Sequence, residues 1–233
     1  MKTGVYSAHD DDSILGLGGR IAQHIKNNDD VYVVVCNPGM NAYIVNFNIN
    51  ENPSPNELRM TRKNEIINAL KILGVKKERL YFLDLNKKNK RVRENMEKAK
   101  EQLLEITKKE KPDIVYFHHP DTHKDHRAVN KIMIEILDEI HKKPEAFEFI
   151  IWTKELAKGR NDVNENFVLE IKGNIIKINI NKELEMKKKA IMQMKSQVEK
   201  HPYPEWQKLK NPVLDKKFIG YFLKENENFV KVE

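Results

Sequence analysis

Through the first half of the chain, short apolar runs alternate with stretches of helical spacing, the signature of a parallel sheet with crossover helices. Residues 2–8 read as a strand and 14–27 as a helix with glycines near its start. Residues 32–36 form an unbroken apolar run rich in valine, suited to a strand buried on both faces. Residues 37–55 carry Asn, Pro and Gly without periodicity and predict a long loop, a kind of segment that often carries function. Apolar positions at helical spacing return over 57–73 and stop at Gly74, a suitable residue for the end of a helix. Residues 80–83 and 114–117 are further short strands, separated by a charged helix over about 92–109.

The second half changes character. A helix over 127–142 leads to a strand over 147–153. Residues 167–171 and 175–180 flank Lys172-Gly173-Asn174, which predicts a β-hairpin. A helix over 182–200 follows, and His201-Pro202-Tyr203-Pro204 breaks the chain into an irregular tail containing Trp206. With no internal repeat and no linker, the expectation is one domain spanning 1–233. The fold class expected is α/β: a Rossmann-like, mostly parallel sheet flanked by helices, with a C-terminal β-hairpin and helix.

Composition narrows the function classes. Charged residues make up 33% of the chain, and the net charge of +7 comes from lysines spread beside glutamates, as over 97–109. That is the pattern of a solvated face; a nucleic-acid binder concentrates basic residues with interleaved aromatics. No nucleic-acid partner is expected. The single cysteine, Cys36, excludes an internal disulfide framework, and its place at the end of an apolar run makes it a buried small hydrophobe. No signal peptide precedes the first strand and no apolar stretch approaches ~20 residues. A cytoplasmic protein without membrane contact is expected, with a homo-oligomer left open.

Chemistry concentrates at two strand ends. Ala8-His9-Asp10-Asp11-Asp12 lies between the first strand and the first helix, where ligands bind in open α/β sheets. Three adjacent carboxylates repel unless a cation or proton intervenes, so a divalent metal fits the pattern. Capping of the helix would need only one of them. The second cluster, His118-His119-Pro120-Asp121-Thr122-His123-Lys124-Asp125-His126, holds four of the chain's eight histidines and again follows a strand. A zinc hydrolase needs three protein ligands, an open position for water and a base. His9, Asp12 and one histidine of the second cluster supply the ligands, and Asp11 the base.

These segments carry a family resemblance. His9-Asp10-Asp11-Asp12 resembles the His-Pro-Asp-Asp signature of the PIG-L/LmbE-like deacetylases, with Asp10 in the proline's place. His123-Lys124-Asp125-His126 resembles their His-x-Asp-His signature. Weaker similarities follow in order: Gly16-Leu17-Gly18-Gly19, the Arg-x-x-Glu helix at Arg62 and Glu65, and Lys187, Ala190 and Ser196-Gln197. The resemblance implies zinc (Zn2+) bound by His9, Asp12 and His126, with Asp11 as general base. It implies that His123 stabilises the oxyanion or protonates the leaving amine, that Asp125 holds the His123 tautomer, and that Arg62 contacts substrate. The implied reaction removes the acetyl group from an N-acetylglucosamine-type sugar or conjugate. Where some members carry a tyrosine ahead of the second signature, this chain has Asp121. Tyr203 and Trp206, together with the 37–55 loop, are candidates for the pocket wall. The alternative is a metal-dependent phosphoesterase using the same Asp/His cluster.

Overall fold

The computed structural model describes residues 1–83, 85, 91–153, 156 and 175–233. Its elements run β1 (Lys2–His9), α1 (Asp12–Lys26), β2 (Asp30–Asn37), α2 (Ala42–Phe47), α3 (Pro55–Ile72), β3 (Leu80–Phe82), α4 (Met96–Glu110), β4 (Ile114–His118), α5 (Lys124–Glu139) and β5 (Glu145–Phe149). β6 (Ile175–Asn179), α6 (Leu184–Ile191), α7 (Lys195–Val198), α8 (Lys216–Phe222) and β7 (Asn226–Lys231) complete the described chain. Seven strands form one sheet in the order β3-β2-β1-β4-β5-β7-β6. β1 pairs parallel with β2 on one side and β4 on the other, and β5 pairs parallel with β4. β7 runs antiparallel to both β5 and β6. The mixed α/β, mostly parallel sheet flanked by helices is the class expected from the sequence.

Strand periodicity divides the core into two layers. Val5, Val33, Val35 and Tyr116 point to the face covered by α1, α3, α6 and α8, while Tyr6, Val34, Cys36 and Phe117 point to the face covered by α4 and α5. Cys36 is buried and free, as its apolar setting suggested.

Several boundaries differ from expectation. α3 starts at Pro55 because Ser54 caps it: its Oγ accepts from Glu57 N–H (3.4 Å), and its own N–H donates to Glu57 Oε2 (2.8 Å). The helix ends just before Gly74, whose φ of +91° is unfavourable for a residue with a Cβ. The 37–55 loop contains α2, whose Tyr43 packs edge-on against Trp206 beside Ile49 and Leu58 in a third apolar cluster. The expected 182–200 helix is two shorter ones. The tail holds α8 and β7, and β7 is the described partner of β6. The expected strand over 167–171 and the turn at 172–174 lie outside the described residues.

α1 is interrupted at Leu17 (φ −148°, ψ 25°), which leaves the backbone N–H groups of Gly19 and Arg20 facing Glu227 of β7. Both donate to its carboxylate at 2.8 Å, and Lys187 of α6 donates to the same carboxylate at 2.8 Å. The glycine-rich stretch therefore marks a broken helix docked on the sheet: a Cβ on Gly19 would stand 2.6 Å from Ile180. No described helix is long and apolar enough to cross a membrane.

Candidate metal centre

The order of the sheet reverses between β1 and β4, and both constellations sit there, at the carboxyl ends of neighbouring parallel strands. β1 delivers His9, and the turn into α1 delivers Asp10, Asp11 and Asp12. β4 ends in His118, and α5 starts at Lys124, three residues earlier than its apolar periodicity suggested. His123 is the N-cap of α5: its Nδ1 accepts from Asp125 N–H at 3.3 Å. His126 thereby falls in the first turn, facing β1.

His9, Asp12 and His126 converge. His9 Nδ1 lies 3.2 Å from Asp12 Oδ2 and 3.3 Å from His126 Nε2, and His126 Nε2 lies 3.3 Å from Asp12 Oδ1. Zinc–nitrogen and zinc–oxygen bonds of about 2.0–2.1 Å place tetrahedral ligands about 3.3–3.4 Å apart; the two ring nitrogens stand at that separation, and the Asp12 carboxylate reaches each of them with a different oxygen, a set compatible with one such ion. Both imidazoles are backed by carboxylates. Asp121 Oδ2 sits 2.8 Å from His126 Nδ1, and Asp125 Oδ2 sits 3.6 Å from His9 Nε2. The hydrogen bond from Asp121 fixes the His126 tautomer and turns its Nε2 lone pair to the centre, while Asp125 faces His9 at ion-pair distance.

Two of these partners differ from the sequence reading. The Asp125 carboxylate faces His9 and also takes Arg93 N–H at 3.0 Å; only the backbone of Asp125 meets the His123 ring. Asp121 orients His126, a partner that the sequence pattern signals only as an acid five residues before a candidate ligand histidine. His118 was left without a role there. Its Nε2 accepts from Ala8 N–H at 2.9 Å, lies 3.2 Å from Asp12 Oδ2, and its ring stacks on His126 at 3.9 Å. Beside His9/Asp12/His126, the described residues offer three further groupings able to share an ion, His9/His123/His126, Asp12/His118/His126 and His9/Asp11/Asp12, and each pair of these has a residue in common.

Asp11 is the N-cap of α1, yet its side chain makes no capping hydrogen bond. It lines the central cavity instead. Burial, then the neighbouring Asp12 charge, pushes its carboxyl up to about 6, against the pull of Arg62. Burial works against a charged His126, but Asp121 and Asp12 outweigh it and hold the ring up at about 9. His123 is held low by burial and by the charges of His9 and His126. With its Nδ1 occupied as an acceptor, the neutral ring carries its proton on Nε2.

Arg62 is buried and largely committed. Its Nε and Nη2 donate to Asp10 at 2.9 and 2.6 Å, and Nη2 also donates to Gln197 at 2.8 Å. Asp10, the residue in the proline's place, is therefore neutralised by this fork. Gly39 (φ +65°) passes so close that a Cβ there would lie 2.4 Å from the guanidinium carbon. Glu65, three residues on, accepts from Ser196 N–H and Oγ and from Tyr203.

The cavity holds about 440 Å³, and its lining includes His9, Asp11, Asp12, Arg62, His123 and His126. Its walls include Asn37 to Asn46 of the predicted loop and Trp152. Tyr203 and Trp206 line a separate cavity of about 520 Å³ beside α3, and the aromatic residues lining the main cavity are Trp152 and Phe218.

The sequence profile of the GlcNAc-PI de-N-acetylase family, PIG-L, matches residues 5–137. No curated protein sequence matches the chain. Among solved structures, the chain is similar to the N,N'-diacetylchitobiose deacetylase from Pyrococcus horikoshii, with 20% identity, 99% of this chain and 83% of that one covered, and a TM-score of 0.69. It is similar to GalB, the 4-carboxy-2-hydroxymuconate hydratase from Pseudomonas putida KT2440, at 17% identity, with 100% and 97% covered and a TM-score of 0.71. It is also similar to the zinc-inhibited form of the teicoplanin deacetylase Orf2, at 15% identity, with 83% and 84% covered and a TM-score of 0.61. At these identities the likeness is one of fold.

Proposed function

The chain belongs to the GlcNAc-PI de-N-acetylase (PIG-L) family, and from that premise we propose that it hydrolyses the N-acetyl group of an N-acetylglucosamine-type sugar or conjugate, releasing acetate and a free amine. Zinc is the metal proposed, held by His9, Asp12 and His126. The observation that carries the reading is the approach of His9 Nδ1 and His126 Nε2 to 3.3 Å, each 3.2–3.3 Å from an oxygen of the Asp12 carboxylate and each ring with a second carboxylate beside it. The fold neighbours named for deacetylation are consistent with it.

The bound ion would supply the acidity that turns water into a nucleophile near neutral pH and would polarise the acetyl carbonyl. The chain's own residues do the rest. Asp11, with its carboxylate in the cavity and free of any capping duty, takes the proton of the attacking water as oxygen bonds to the acetyl carbon. His123 presents its Nε2–H to the developing oxyanion, and a fixed neutral donor serves that purpose. The carbon–nitrogen bond then breaks, and the proton held by Asp11 passes to the amine nitrogen. Arg62 contributes to the substrate wall; its Nη2 lies 3.8 Å from Asp11 Oδ1, and its grip on Asp10 keeps the acidic turn still.

The phosphoesterase alternative is weaker because the possible ligand groups overlap in one centre. The test is release of amine and acetate from a panel of N-acetylglucosamine conjugates, with and without a chelator, alongside an aryl phosphate. Equal yields of both products, abolished by the chelator, are expected. Release of phosphate with no amine from any conjugate would overturn the reading.

A further inference from the structure

The second cavity, of about 520 Å³, has the volume of a small-molecule site and no part in the metal centre. One of its walls is α3. Thr61, Asn64 and Asn68 stand there at intervals of three and four residues, so they form one stripe along the helix. The other wall comes from Gln193 and Lys195, where α6 gives way to α7, and from Tyr203, Glu205 and Trp206 beyond them. Groups outside the stripe fasten the two walls together. Glu65 of α3 accepts from Ser196 N–H at 2.7 Å, from Ser196 Oγ at 2.6 Å and from Tyr203 Oη at 2.9 Å. Asn52 Nδ2 donates to the Glu205 carbonyl at 2.9 Å, and Tyr203 meets Trp206 edge-on at 4.8 Å. The groove is therefore held in shape before any ligand enters, which favours binding.

The hydrogen-bonding groups left over are neutral as a set. Glu57 also lines the cavity, but Ser54 N–H and Oγ occupy its carboxylate at 2.8 and 2.7 Å, and the three donors above occupy that of Glu65. The side chains of Thr61, Asn64, Asn68 and Gln193 have no hydrogen-bond partner among the described residues. Lys195 and Glu205, likewise without a side-chain partner there, are opposite in sign. An ion of either sign would meet one attracting and one repelling charge. A hydroxyl or a carboxamide both donates and accepts, as a sugar hydroxyl does. Tyr203 and Trp206 add an apolar surface for the C–H face of a sugar ring.

We propose that this second cavity binds a neutral carbohydrate, with Asn64 and Asn68 taking its hydroxyls and Tyr203 and Trp206 lying against a ring. The site is distinct from the metal centre and does not depend on the reaction proposed there. Two sources share the chemistry: a free sugar, and a distal unit of a saccharide whose other end enters the main cavity.

The chain's two tryptophans report on the two cavities separately, Trp152 on the main one and Trp206 on the second. Metal-stripped protein labelled with fluorotryptophan is titrated with cellobiose and with the linear trimer of N-acetylglucosamine, and followed by fluorine NMR. Glycerol, putrescine and inorganic phosphate serve as controls, and Trp152→Phe assigns the two resonances. The Trp206 resonance is expected to shift saturably with cellobiose and to ignore the controls. Asn64→Ala/Asn68→Ala breaks no hydrogen bond within the protein, so it folds as wild type does. Its affinity for cellobiose falls about tenfold or more, as for two ligand hydrogen bonds lost. Asn41→Ala, in the main cavity, keeps the wild-type affinity. The trimer separates the sources: a shift of Trp206 alone marks a site for free sugar, and joint shifts of Trp152 and Trp206 with one midpoint mark a saccharide spanning both cavities. A Trp206 resonance unmoved by both saccharides, moved equally by the controls, or titrating with unchanged affinity in the double variant overturns the proposal.

Discussion

Asp12 stands 3.2–3.3 Å from the imidazoles of His9, His118 and His126 and is itself buried. A carboxylate removed from water needs such partners, and burial is outweighed by their charges, which hold Asp12 well below the usual carboxylate range. Asp11, one residue earlier, has no comparable set of donors, and that difference is the ground for proposing Asp12 as a ligand and Asp11 as the base. Asp11→Asn is expected to bind metal as wild type does while losing turnover by about two orders of magnitude or more, read from amine release beside metal content. Near-normal rates would remove Asp11 from the mechanism. Asp121→Ala frees the His126 ring to reorient, and a metal affinity weaker by about 10- to 100-fold is expected in a competition titration against a chelator. The clustering of these residues was legible in the sequence because His9 ends one strand and His126 closes a His/Asp-rich segment that follows another. The destination of the Asp125 side chain was not. It depends on α5 beginning at Lys124, and helix starts fixed by a histidine N-cap leave little trace in apolar periodicity.

Elements explain what the glycine-rich stretch does. The break at Leu17 opens two backbone donors in the middle of α1, and Glu227 closes them from β7 with Lys187 as its counter-ion. The Lys187 and Glu227 side chains are 1% and 2% exposed, so removing either leaves an uncompensated buried charge. Lys187→Met and Glu227→Gln are each expected to cost about 3 kcal/mol or more in denaturant unfolding. The double variant should lose less than the sum, because the glutamine oxygen still accepts from the helix and no charge is stranded. Additive losses would show that the pair is not coupled. Glu227 also accounts for the strand missed in the tail. Asn226-Glu227-Asn228-Phe229-Val230-Lys231 points a carboxylate inward, which breaks the alternation by which strands are recognised. α2 escaped notice for a related reason: six residues are too few to display helical periodicity.

At the scale of the molecule, the sheet order places the site, since β1 and β4 are adjacent only because the chain crosses over after β3. The other end of the sheet is fastened separately. Glu110 at the end of α4 accepts from Arg79 and Tyr81 and pairs with Lys2. Burial opposes its charge, but these partners prevail and bring its carboxyl down to about 2 from 4.5. A carboxyl lowered on folding stabilises the native state above the unfolded value, and that stabilisation drains away as pH falls from about 4.5 to about 2. Glu110→Gln should therefore be less stable than wild type at neutral pH, with the gap closing across that window in urea unfolding. A gap independent of pH would assign the loss to packing. The acid-backed histidines occupy the opposite, carboxyl end of the strands, so Glu110→Gln should leave metal binding intact.

The convergence of His9, Asp12 and His126 is tested most directly by zinc stoichiometry of the metal-stripped protein at equilibrium, compared between wild type and folded His126→Ala. One equivalent bound tightly by wild type, and an affinity reduced by at least two orders of magnitude in the variant, is the expected result. Undiminished binding in His126→Ala, or no tight binding by wild type, would contradict it.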